Sequence, residues 1–115
     1  MNISLNSFHS QQATFLADSL VRVGCPVVMT SNLKVSFAGT GRNFCGICTD
    51  LRDGYATVKL CGYCTIGYTG TAPSVGYVML ASDGDGGVKT VTTGGRTMLV
   101  TNVDTTSNTV GFILN

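Results

Sequence analysis

The chain lacks tryptophan and glutamate altogether, has one histidine and two prolines, and only 11% of its residues are charged. Each shortage removes a class of function. Acid–base chemistry on paired carboxylates is left to six aspartates, Asp18, Asp50, Asp53, Asp83, Asp85 and Asp104. All but Asp18 and Asp50 sit in turn sequences. The one histidine, His9, lies in a polar N-terminal stretch, so a Cys-His or Ser-His nucleophilic pair would need that stretch folded back onto the rest. Lys34, Lys59, Lys89, Arg22, Arg42, Arg52 and Arg96 are scattered, and the net charge is +1. With no basic block to neutralise phosphates, nucleic acid is not an expected partner. No apolar run reaches the roughly 18 residues that span a bilayer, and the opening MNISLNSFHS lacks a basic start followed by an apolar run. Synthesis in the cytoplasm with reduced thiols is the expectation, and five cysteines, an odd number, fit a disulfide framework poorly.

What the chain does have is β character. Threonine is the commonest residue, valine is abundant, and turn signals recur about every 8–12 residues. Residues 1–12 are polar with isolated Ile3, Leu5 and Phe8 and read as an arm. Residues 13–24 fit either a helix or an extended strand, and nothing after Gly24 reads as a helix. Pro26–Thr30 and Leu33–Phe37 flank the turn Ser31-Asn32. Asp53-Gly54, the strongest short hairpin signal in the chain, joins an apolar run from Phe44 to the alternating Tyr55–Leu60, which continues to Ile66. Further strands are expected at Tyr77–Leu80, Val88–Val91, Arg96–Val103 and Thr109–Leu114. The expected fold is all-β, a small antiparallel β-barrel or sandwich over 25–115 with an extended N-terminal arm over 1–24. Low surface charge suggests that another subunit or a larger surface covers its strand edges.

The motif richest in potential chemistry is FCGICTDLRDGYATVKLCGYC, which carries Cys45, Cys48, Cys61 and Cys64 in two Cys-Gly-x-Cys pairs. Four thiolates can close a tetrahedral zinc shell, and Gly46 and Gly62 would let a knuckle turn around the metal. Residues three apart on a strand point to opposite faces, however, so an extended Phe44–Thr49 separates Cys45 from Cys48. Ordinary apolar thiols are then the simpler reading. The hairpin register also sets Cys45 near Cys61 or Gly62, so a cross-strand disulfide under oxidation is a further alternative. A thiol oxidoreductase using Cys45 and Cys48 would need the helix N-terminus that usually lowers a thiol pKa. Asp83-Gly84-Asp85-Gly86 lacks the additional acidic ligands of a calcium loop. Gly39-x-Gly41 lacks the following helix that holds a pyrophosphate. Both read as turns.

The succession of short strands from Cys25 to Leu114 resembles the small β-barrel proteins that decorate tailed-bacteriophage capsids, known as cement, head decoration or head fibre proteins. The resemblance lies in order and spacing. Pro26-Val27-Val28 opens the first hairpin, then come Phe44-Cys45-Gly46-Ile47, Asp53-Gly54-Tyr55-Ala56-Thr57-Val58 and Gly62. Ala72-Pro73-Ser74-Val75-Gly76-Tyr77, Gly86-Gly87-Val88-Lys89, Gly95-Arg96 and Val103-Asp104-Thr105-Thr106 lead to the closing Val110-Gly111-Phe112-Ile113-Leu114. The resemblance implies a non-enzymatic structural role without cofactor or membrane. The protein would bind the major capsid protein on the outer surface of the virion, with the arm touching the capsid or a neighbouring copy; a dimer or trimer is expected separately, because closed symmetry is a common way to bury strand edges. Cysteines at these positions depart from that family's usual aliphatic residues and glycine. The rival expectation is a zinc-stabilised β-domain binding a protein or nucleic acid through a fold held by Cys45, Cys48, Cys61 and Cys64.

Overall fold

In the computed structural model, which describes residues 11–114, the alternating segments become nine strands, with no helix among the described residues. They are β1 (Gln11–Ala17), β2 (Pro26–Ser31), β3 (Lys34–Phe37), β4 (Gly46–Arg52), β5 (Tyr55–Gly67), β6 (Gly76–Ser82), β7 (Val88–Thr90), β8 (Arg96–Asp104) and β9 (Thr109–Leu114). The chain is all-β, and the strands form one hydrogen-bonded sheet. The stretch that could have been helix or strand is extended at Gln11–Ala17, pairing with β5 over Gln11↔Cys61 to Leu16↔Tyr55. Of the arm expected over 1–24, residues 11–17 are therefore a strand of the sheet, and residues 1–10, His9 included, lie outside the described residues.

The sheet is mixed, which corrects the expectation of a purely antiparallel one. The hairpin β2–β3 sends β3 back in the direction of β1, and the two pair in parallel at Leu16↔Lys34 and Ala17↔Val35. Because β1 also pairs with β5, the pairings run β1–β3–β2–β4–β5 and return to β1. The second half repeats this plan. The end of β5 pairs antiparallel with β9, β9 with β8, β8 with β6 and β6 with β7, and a parallel bridge Tyr68↔Val88 brings β7 back beside the end of β5. β5, thirteen residues long, thus closes the first half and opens the second, and the positive φ of 120° at Gly62 marks the passage between them.

The core follows the same division. Val21, Cys25, Val27, Val35, Cys48, Ala56 and Val58 form one buried cluster inside the first half. A larger one contains Ile66, Leu80, Met98, Val100, Val110, Phe112 and Leu114, together with Val28, Phe44 and Ile47 contributed by the first half. Neighbours in sequence therefore serve different cores: Val27 faces one and Val28 the other. A strand covered on both faces reads as a continuous apolar run rather than an alternating one, which is why Pro26-Val27-Val28 is apolar throughout. Each fully buried Val, Leu, Ile or Phe contributes on the order of 1.5–3 kcal/mol. Polar contacts join the halves too. The buried Ser82 hydroxyl donates to the Ala38 carbonyl at 2.9 Å, and the Gly41 N–H donates to the Ser82 carbonyl at 2.7 Å. Gly39-x-Gly41 is part of this junction.

Turn chemistry matches the backbone. Asp53 and Gly54 both have positive φ, 54° and 81°, as a two-residue type I′ hairpin requires. Asn108 takes φ 56° in the β8–β9 turn, where Asp104 Oδ1 accepts the N–H groups of Thr106 and Ser107. Those bonds hold the Asp104 carboxyl below its ordinary range.

Candidate functional site

The four cysteines of the repeated motif do not converge. Cys48 is buried in the smaller core beside Cys25, and Cys64 is buried in the larger one. Cys45 packs against the smaller core from just before β4, and Cys61 lies half-buried opposite Gln11. All five cysteines are free thiols, and among the described residues no three His, Cys or Asp side chains gather as a metal site would require. Continuing the register Ile47↔Lys59 sets Cys45 opposite Cys61, as the hairpin turn implies, and neither is bonded to the other.

The two glycines of the motif have reasons of their own. A side chain on Gly46 would strike the Lys59 carbonyl, and Gly62 occupies a left-handed conformation at the bend of β5.

Burial pushes the thiols of Cys25, Cys45, Cys48 and Cys64 above their ordinary pKa. For Cys48 the neighbouring Cys25 adds to the effect. Since the thiolate is the nucleophile and the metal ligand, these groups are poorly suited to either task. In native protein at neutral pH these four are expected to react with iodoacetamide at least tenfold more slowly than in urea, where all five modify. A native thiol reacting faster than free cysteine would contradict this.

The acidic loop is equally occupied with its own shape. Asp83 Oδ1 accepts the N–H groups of Asp85 at 2.7 Å and Gly87 at 3.0 Å, and Oδ2 accepts the Thr69 hydroxyl at 3.3 Å. This is the pattern of an Asx turn rather than of a ligand awaiting a cation.

A different place stands out, and the sequence motifs did not indicate it. At one end of the first half the tips of two hairpins meet the end of β1. Leu16 pairs with Tyr55 across β1 and β5, and its N–H donates to the Leu33 carbonyl at 2.8 Å. Directly opposed residues share a face, so Leu16 and Tyr55 stand side by side, 45% and 51% exposed, with Lys34 opposite Leu16 on its other side and Leu33, 71% exposed, at the adjoining hairpin tip. The end is firmly held. Ala17 N–H donates to the Gly54 carbonyl, Asp18 N–H donates to the Val35 carbonyl, and the Asp18 carboxylate accepts from the Ser36 hydroxyl and Leu20 N–H. Those bonds, that from Ser36 foremost, keep the Asp18 carboxyl below its ordinary range. Thr14, Asp50, Arg52 and Asp53 line a shallow hollow of about 370 Å³ beside Tyr55, giving an apolar centre with a polar rim.

No family model and no curated protein matches the chain. The functional reading therefore rests on this geometry, and its sharpest feature is Leu33. Its φ is 59°, a left-handed conformation that costs a side-chain-bearing residue about 1–2 kcal/mol and that glycine or asparagine usually fills. A leucine that is both strained and largely exposed contributes little to this chain's own stability. The one sequence signal was an Asn-Leu pair where a hairpin would favour Asn-Gly.

Proposed function

We propose that this protein is a non-enzymatic capsid decoration protein of a tailed bacteriophage, built as two small fused β-barrels that share β5. It binds the major capsid protein lattice on the outer surface of the virion. The observation that carries the reading is the apolar end formed by Leu16, Leu33 and Tyr55, with a strained leucine at its tip. Exposed apolar groups surrounded by a polar rim mark docking surfaces, and backbone strain kept at an exposed position points to function rather than folding. Low charge over the rest of the domain suits a surface packed among neighbours. A lattice of identical sites multiplies weak contacts through avidity, so each copy needs only a modest interface. Closed oligomers, dimers or trimers, would add to this effect. The competing zinc-module reading needs four converging thiols, and the separation of Cys48 from Cys64 into different cores gives it no support.

Leu33→Gly separates docking from folding. The variant is expected to be more stable by about 1 kcal/mol, because glycine relieves the left-handed strain. Its cosedimentation with undecorated heads is expected to weaken at least tenfold. Binding as tight as that of the parent chain would overturn the assignment of this end as the capsid contact.

A further inference from the structure

Two thiols that the repeated motif does not pair meet across β2 and β4. The pairings Pro26↔Ile47 and Val27↔Gly46, carried one step back along the chain, set Cys25 opposite Cys48. The Cys48 N–H donates to the Cys25 carbonyl at 3.0 Å, and the Gly24 N–H donates to the Cys48 carbonyl at 2.7 Å. Gly24, with φ 89°, and Cys25 therefore face a single residue of β4, as in a bulge that begins with a left-handed glycine. Directly opposed residues share a face, and both thiols are buried in the smaller core. Hydrogen-bonded opposite residues of an antiparallel pair lie about 5.5 Å apart at Cα. A disulfide needs a Cα separation of roughly 4.4–6.8 Å and side chains directed to the same side. The Cys25–Cys48 pair meets both conditions.

The surroundings of the two sulfurs leave a bond between them free to form. Cys25 Sγ accepts the Arg22 N–H at 3.4 Å, and the Cys48 thiol donates to the Asp50 carbonyl at 3.4 Å. Sulfur is a weak donor and a weak acceptor, so giving up these contacts costs little. Burial is the larger cause of the upward shift of the Cys48 thiol, and the Cys25 sulfur adds to it, whereas the shifts of Cys45 and Cys64 owe nothing to another cysteine. Cys64 lies in the other core. The seam that a Cys25–Cys48 bond would reinforce is also a thin one, since β2 and β4 share only the two pairs Pro26↔Ile47 and Val27↔Gly46.

We propose that Cys25 and Cys48 form a disulfide when the protein meets a low-molecular-weight disulfide as oxidant, and that this cross-link stabilises the folded chain. One cysteine, as thiolate, attacks the oxidant to give a mixed disulfide and releases one small thiol. The second cysteine then attacks the protein sulfur of the mixed disulfide, the Cys25–Cys48 bond forms and the second small thiol leaves. The two protons and two electrons lost by the protein thiols are carried away on the two released thiols. Burial keeps thiolates scarce in the folded chain, so exchange is slow there and fastest while the Arg22–Cys25 turn is open or the chain is folding. A reducing compartment preserves the dithiol and an oxidising one closes it. The bond encloses the β2–β3 hairpin in a covalent loop and ties it to β4. The inference does not rest on the capsid reading.

The test is refolding of the full chain from urea in a buffer of oxidised and reduced glutathione, followed by acid quenching, alkylation in denaturant and peptide mapping. One disulfide is expected, Cys25–Cys48, with Cys45, Cys61 and Cys64 alkylated. Oxidation is expected to raise the melting temperature by about 5–15 °C, reversibly on reduction by dithiothreitol. In a Cys25→Ala variant, compared with itself in the same two buffers, the rise should vanish and Cys48 should remain alkylatable. Cys25 and Cys48 both recovered as alkylated or glutathionylated thiols, or either one joined to another cysteine, would overturn the proposal. So would a melting temperature that does not rise on oxidation, or a rise that persists in the Cys25→Ala variant.

Discussion

Phe44→Ala is expected to cost about 3–5 kcal/mol and to lower the melting temperature by about 10–20 °C, in one cooperative transition. Phe44 lies just before β4 in the first half of the chain, is 1% exposed, and packs in the core of the second half with Ile66, Leu80, Met98 and Phe112. Truncation removes a large apolar surface and leaves a cavity that neighbours from two halves of the sheet must both move to fill. Stabilities of domains this size are on the order of 5–15 kcal/mol, so the loss is a large share of the total. Calorimetry distinguishes two outcomes with structural meaning. A single shifted transition shows that the halves fold as one unit, as the shared β5 and the Ser82–Ala38 bond imply. Two transitions, with only one displaced, would show that they are independent and that Phe44 does not couple them.

Gly46→Ala is the second large effect, with an expected loss of about 1–3 kcal/mol by chemical denaturation. An added Cβ would sit 2.5 Å from the Lys59 carbonyl oxygen and 2.6 Å from Val58 Cγ1. The first of these is backbone, so relief requires β4 to move away from β5 and break the Ile47↔Lys59 pairing. Gly54 provides the contrast. It has φ 81° and nothing within 4 Å of a built Cβ, so Gly54→Asn meets only the left-handed strain that asparagine tolerates best and should cost less than Gly46→Asn, which is at least as harmful as the alanine variant. If Gly46 instead served a metal knuckle, the damage would depend on zinc. Equal losses with and without added zinc are expected, and a zinc-dependent difference would contradict the packing account.

The strand pattern was largely legible in the residues. Asp53-Gly54 placed the β4–β5 hairpin because that pair tolerates the two left-handed residues of a tight hairpin turn, which both adopt. The alternation Val110, Phe112, Leu114 placed β9, and all three face the larger core. The Cys-Gly-x-Cys pairs were a weaker guide. Spacing along the chain matches a zinc ligand set, but strand geometry carries Cys48 into one core and Cys64 into the other. The apolar end at Leu16, Leu33 and Tyr55 was not legible. Its three members are distant in sequence, and each alone looks like an ordinary strand or turn residue.

The hairpin Phe44–Cys64 was fixed by local chemistry: turn residues, period-two alternation and β-branched side chains set β4, β5 and the turn between them without reference to the rest of the chain. Which faces are buried, where the thiols lie and why Gly46 cannot change were decided only when β1 closed onto both β3 and β5 and when β5 ran on into the second half. Pairings between distant strands depend on contacts summed over the whole molecule, and no short window of sequence contains them.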